Sequence, residues 1–229
     1  MSAKTLALRS TVILTAALVL VCVVGIGYGV VLKRTAAKLV RDVAALTVGK
    51  STYLDAERIA DSYSHFRVLS WGGDPTPCVP EKCFFMFDFS NFLISTIRLV
   101  RPAVFRATVA VEDDKVTSVD IVFWGGRNGV HGAFVQEAER SSIFKNGPYS
   151  FPTPVGKPYL RVFLTPAASP TEKQHAFTID VHCLATWRSC DLGCDYLPLA
   201  WQDWKKELLA GWLDERSFLI SYPQSTRCR

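Results

Sequence analysis

The stretch STVILTAALVLVCVVGIGYGVVL, residues 10–32, decides the fold. It runs for 23 residues without a charge, and at 1.5 Å rise per residue such a helix spans at least about 30 Å, the thickness of a bilayer's hydrocarbon core. Thirteen of these residues are Leu, Ile or Val, each worth roughly 0.3–0.6 kcal/mol of insertion near the bilayer centre. The sequence therefore predicts a single transmembrane helix. A cleaved signal peptide has a shorter apolar run and a small-residue cleavage site, whereas here the run continues through Val23, Val24, Ile26, Val30 and Val31. Gly25 and Gly29 make a small-xxx-small face on which two such helices can pack, so a homodimer through the membrane helix is one expectation.

Working outward, residues 1–9 form a short tail, residues 33–50 a juxtamembrane helical stalk, and residues 51–229 one domain. The chain is long enough for one solid core. With 49% hydrophobic residues and a net charge of +5, disordered and low-complexity classes are excluded. The charge is concentrated at the helix. Residues 1–41 carry Lys4, Arg9, Lys33, Arg34, Lys38 and Arg41 and no acid, leaving 20 basic residues against 21 acidic in the remainder, a net of −1. That balance predicts lipid headgroup contact beside the span and no nucleic-acid partner.

Two arguments about sidedness conflict. The four basic residues after the span outnumber the two before it, which by the positive-inside rule favours a cytoplasmic domain. Six cysteines lie beyond the span, Cys78, Cys83, Cys183, Cys190, Cys194 and Cys228, an even set of disulfide candidates that favours an oxidising compartment. The cysteine argument is preferred, which places the domain outside the cytoplasm.

Beyond the span, Ala36, Leu39, Val40, Val43 and Leu46 keep helical spacing, and Gly49 stops the helix. Thr52 with Asp55 caps a second helix reaching about Phe66. From Cys83 the period changes to two, with Phe85, Phe87 and Phe89 alternating with Met86 and Asp88. Residues 102–111 and 116–124 read as a hairpin, and residues 159–165 pair with a long strand at 175–187 in a second one. A helix at 199–213 carries Trp201, Trp204, Leu208 and Trp212 on one side, and 217–222 adds a short edge strand. The predicted class is α+β, an N-terminal transmembrane helix followed by an antiparallel five- or six-stranded sheet covered by helices.

Few constellations carry chemistry. AALTVGKS, residues 44–51, ends like a phosphate-binding loop, but Ala44 replaces the first glycine and helix rather than strand precedes it, so helix punctuation is expected. His182 with Cys183, Cys190 and Cys194 invites a zinc or thiol site, yet on a strand His182 and Cys183 diverge, and disulfides are the simpler reading. Asp113 and Asp114 are turn residues, and Glu137 and Glu139 are placed on a solvated face. The loop Gly125-Gly126-Arg127-Asn128-Gly129-Val130-His131 is a possible anion-binding nest through Gly126, Arg127, Gly129 and His131. No catalytic set, cofactor or metal is expected. The function predicted is a non-enzymatic binding or interaction module at the membrane surface, with a lipid bilayer and a protein as partners. The alternative is a membrane-anchored enzyme using a cleft near residues 125–131 and the cysteine-rich region, with Asp191, Asp195 or Glu137 as acids.

Overall fold

A computed structural model of the chain describes residues 3–68, 78–91, 103–124, 132–138, 159–164, 168–185, 199 and 218–221. Helix α1, Ala3–Ala44, is unbroken over 42 residues, about 63 Å at the usual rise. Its residues 10–44 are long and apolar enough to cross a membrane. Along the first part the apolar side chains point outward on every side: Val12, Ile13, Leu14, Leu18 and eight more Leu, Ile and Val residues up to Val31 are exposed. From Leu32 onward a stripe at helical spacing, Ala36, Leu39, Val40 and Val43, is buried in the domain core. Residues 33–44, expected as a stalk, are thus a core element.

The end of α1 is set by a tight turn. Ser51 N donates to the Thr47 carbonyl at 2.9 Å, and Gly49 takes the left-handed backbone (φ 77°) that a side chain would strain. Helix α2, Tyr53–Ser62, opens on the expected capping box, in which Thr52 and Asp55 satisfy each other's backbone amides. It stops four residues earlier than expected, and a separate turn of 3-10 helix, Ser64–Phe66, carries Phe66 onto Phe89 at 4.1 Å between ring centroids.

Strands β1 (Lys82–Ser90), β2 (Val104–Glu112) and β3 (Lys115–Trp124) form an antiparallel meander in the places the alternation predicted. Three strands, against five or six expected, make up this fully described antiparallel unit. Backbone pairing extends the ladder through β4 (Gly132–Ala138), β5 (Tyr159–Leu164) and β6 (Phe218–Ser221), and there β4 and β5 run parallel. The extended sheet is therefore mixed. The expected strand at 175–187 is not one. Ser169 caps a helix α3, Pro170–Phe177, with Pro170 at its first position and Glu172 closing the box, and residues 182–184 form a 3-10 turn. Phe177 ends α3 and Cys183 sits in the 3-10 turn, and both are buried together with Ala176, Val181 and Leu184, so the apolar residues of this segment reach the core without forming a strand. The expected helix at 199–213 lies outside the described residues apart from Leu199.

One face of the meander carries Phe85, Phe87, Phe89, Phe105 and Phe123, all fully buried, with α1, α2 and α3 on that side. Because Leu39 is fully buried whereas Leu18 is 65% exposed, the two leucines of one helix should respond differently to truncation. Leu39→Ala should cost about 2–5 kcal/mol in denaturant unfolding of the detergent-solubilised chain, and Leu18→Ala should leave the midpoint nearly unchanged. Equal losses would contradict the division of α1 into sleeve and core.

Candidate functional site

The second face of the meander is mixed and largely buried: Phe84 and Met86 of β1, Ala110 of β2 and Val122 of β3 share it with Asp88, Arg106, Thr108, Ser118 and Asp120. Arg106 on β2 makes a two-pronged ion pair with Asp88 on β1, Nε to Oδ1 and Nη2 to Oδ2, with the Arg106 side chain only 7% exposed. The cross-strand neighbours Thr108 and Asp120, with Ser118 two residues before Asp120, continue the row, and all three are buried. Among the described residues Thr108 Oγ1 meets no hydrogen-bond partner. Fork geometry fixes the guanidinium plane against both carboxylate oxygens. The arrangement is suited to holding a polar surface in place, since Asp88 is committed to its partner. This row was not found in the sequence, because alternation with Phe87, Phe89 and Phe105 marks Asp88 and Arg106 only as facing away from the aromatic side.

A second ion pair ties the helical layer together. Lys173 on α3 lies 2.8 Å from Glu137 Oε2 and donates to the Leu46 carbonyl at 3.0 Å, joining α3, β4 and the end of α1. Glu137 is buried on the core side, which corrects its placement on a solvated face. Glu139 lies outside the described residues. Tyr63, buried after α2, donates to Asp42 of α1 at 2.6 Å. Burial first, and then the Asp42 carboxylate, push the Tyr63 phenol well above its usual range. Asp55 and Glu172 are held below the usual carboxylate range, chiefly by the backbone amides they cap.

The residues singled out in the sequence are only partly brought together. Cys78 and Cys83 form a disulfide. Cys183 is also disulfide-bonded, while Cys190, Cys194 and Cys228 lie outside the described residues. His182 and Cys183 share a 3-10 turn instead of diverging on a strand, with His182 Nε2 at 3.9 Å from Sγ, and His182 Nδ1 sits 2.9 Å from Asp180. A thiol in a disulfide is not a nucleophile. Asp113 and Asp114 are turn residues as expected, both with positive φ. Gly126, Arg127, Gly129 and His131 lie outside the described residues, between strand ends Trp124 and Gly132 that face each other in the ladder. Asp191 and Asp195 are likewise outside them. Gly25 and Gly29 are buried on α1, and Gly27 is exposed. The stretch resembling a phosphate loop spends its amides within the chain, Gly49 N on the Val116 carbonyl at 2.7 Å and Lys50 N on Thr47 at 3.0 Å, so it is helix punctuation. Among the described residues no group of three or more His, Cys, Asp or Glu is placed to hold a metal.

No protein-family model, curated protein or solved structure matches this chain. The functional reading therefore rests on residues and geometry.

Two ion pairs separate by burial. Arg106→Met, which strips Asp88 of its partner, should lower unfolding stability by about 1.5–3 kcal/mol, whereas Arg58→Ala, breaking the exposed pair with Asp55, should cost under about 1 kcal/mol. The reverse order would show that the polar row is not held by this pair. Tyr63 gives a pH signature. Its raised pKa means that the native state retains the phenol proton after the unfolded chain has lost its own near pH 10. The contribution is full below that pH and declines as pH rises beyond it. Unfolding stability between pH 9 and 11 should fall more steeply for the native sequence than for Tyr63→Phe, and parallel profiles would refute the assignment.

Proposed function

We propose that the chain is a single-pass membrane protein whose domain, residues 51–229 packed on the end of α1, is extracytoplasmic and acts as a non-enzymatic binding or interaction module at the membrane surface. The observation that carries this reading is the apolar sleeve of α1, where twelve Leu, Ile and Val side chains between Val12 and Val31 are exposed at once. In water each such side chain forgoes roughly 1.5–3 kcal/mol of burial, and a bilayer is the solvent in which a helix of this length meets no such penalty.

The Cys78–Cys83 bond and the disulfide at Cys183 support the oxidising side of the membrane. A binding role is supported by the way the polar side chains engage one another. Asp88 is tied to Arg106, Glu137 to Lys173, and Asp42 to Tyr63. Groups committed in this manner define a rigid surface more readily than they exchange protons with a substrate. The bilayer restricts such a surface to partners near the membrane, where tethering raises effective concentration.

Alkaline carbonate extraction of native membranes should leave the full chain in the pellet, and protease added to the outer side of sealed vesicles should digest the domain. Without reductant, Cys22 should be the thiol that reacts after solubilisation. Release into the supernatant would remove the anchor, and protection from protease together with reactive thiols at the six distal cysteines would reverse the side.

A further inference from the structure

We infer that the domain is not held above the membrane but seated on it, with the sheet end that contains Ser90 reaching below the headgroups into the outer edge of the hydrocarbon. This rests on the membrane reading of α1 and specifies the surface that meets lipid. The Tyr28 hydroxyl, four residues before the buried Leu32, donates to the Ser90 carbonyl at 3.4 Å. Arg9 and Lys33 bracket the uncharged run, and their Cα atoms stand about 36 Å apart on a helix. A hydrocarbon core of about 30 Å centred between them ends near Val31, which puts the Tyr28 backbone about 4 Å inside that boundary. Helical side chains lean toward the N-terminus, so the Tyr28 hydroxyl reaches deeper still. The Ser90 carbonyl is carried to that depth with it.

The rest of that sheet end follows from the register. Ser90, Val104, Trp124, Gly132, Tyr159 and Ser221 form one row across the ladder. Backbone groups at membrane depth must be satisfied within the protein, and at the end of β1 the Asn91 and Ala103 amides are. Asn91, fully buried, donates its N–H to the Ala103 carbonyl at 3.2 Å, and its Oδ1 accepts the Ala103 N–H at 2.8 Å. Lys33 and Arg34, exposed just beyond, meet headgroup phosphates. The opposite end of the sheet, at Lys115, is about 30 Å away along β1 and stands in water.

The test uses the full chain with Cys22→Ser, reconstituted in phosphatidylcholine vesicles with about one third phosphatidylserine, carrying a nitroxide at Ser90→Cys or at Lys115→Cys. Collision with oxygen, which concentrates in lipid, is compared with collision with a water-soluble nickel chelate. The oxygen-to-nickel ratio should be at least several-fold higher at position 90 than at 115. Should labelling at 90 disturb the strand, His65→Cys serves instead, an exposed site beside the Phe66 ring that stacks on Phe89, and its ratio should also exceed that at 115. Equal ratios in a chain that resists carbonate extraction would overturn the seated domain and leave the anchor standing. A chain that carbonate extracts would overturn the anchor itself.

Discussion

Helix α1 is one hydrogen-bonded rod with two kinds of surface, and this continuity constrains the rest of the molecule. Its first half presents apolar side chains all round, and its second half narrows to the stripe Leu32, Ala36, Leu39, Val40 and Val43 against the sheet. Sharp bends in helices need proline, glycine pairs or an interrupted ladder. Between Val30 and Ala44 the sequence has neither glycine nor proline, and the helix is continuous. No swivel separates the apolar sleeve from the core. Whatever fixes the first half in space therefore fixes the sheet, because turning the domain on the helix would draw Leu39 and Val43 out of a core in which both are fully buried.

The end of the sheet away from Ser90 is built by local devices. Asp113 and Asp114 both take positive φ in the two-residue turn between β2 and β3, the pair of conformations that matches the twist of a hairpin. Their amides are received by the Glu81 and Pro80 carbonyls at 3.1 and 2.8 Å, inside the loop closed by Cys78 and Cys83. Tyr53 N donates to the Asp114 carbonyl, and Val116 exchanges hydrogen bonds with Gly49 and Ser51. The turn ending α1, the start of α2, the disulfide loop and the hairpin are thus a single knot. It fixes the register of the meander at its far end, as the Asn91–Ala103 pair does at the other.

Much of this architecture is legible in the residues, for identifiable reasons. The long uncharged run, the stripe beyond it and the alternating phenylalanines each repeat often enough to outweigh local accidents. The capping box at Thr52 and Asp55, and the pairing of two cysteines five residues apart, are short-range features that need no knowledge of the fold. Reading residues 175–187 as a strand failed because the segment's spaced apolar residues belong to the end of α3 and to a 3-10 turn, which bury them by other means. The true signal lay upstream in Ser169-Pro170-Thr171-Glu172, a cap followed by a proline and a closing glutamate. The polar row at Arg106 was hidden for another reason. Alternation says which residues share a face, and only tertiary structure says whether that face meets water.

That hidden row also bears on how the meander chooses its register. The face with Phe85, Phe105 and Phe123 is apolar and would tolerate several alignments of similar aromatic content. A one-residue slip of β2 exchanges its two faces. Arg106 and Thr108 would then enter the core beside Leu39 and Val43, while Phe105 and Ala107 would stand among Asp88 and Asp120. A buried charge stripped of its partner costs about 3–5 kcal/mol, comparable to a large share of a domain's total stability. Ion pairs of this kind add little net stability when they replace apolar contacts of equal size. Their effect here is on the alternatives: the Asp88–Arg106 pair penalises slipped alignments that the aromatic face alone would permit, and so holds Ser90 opposite Val104 at the end that meets Tyr28 of α1.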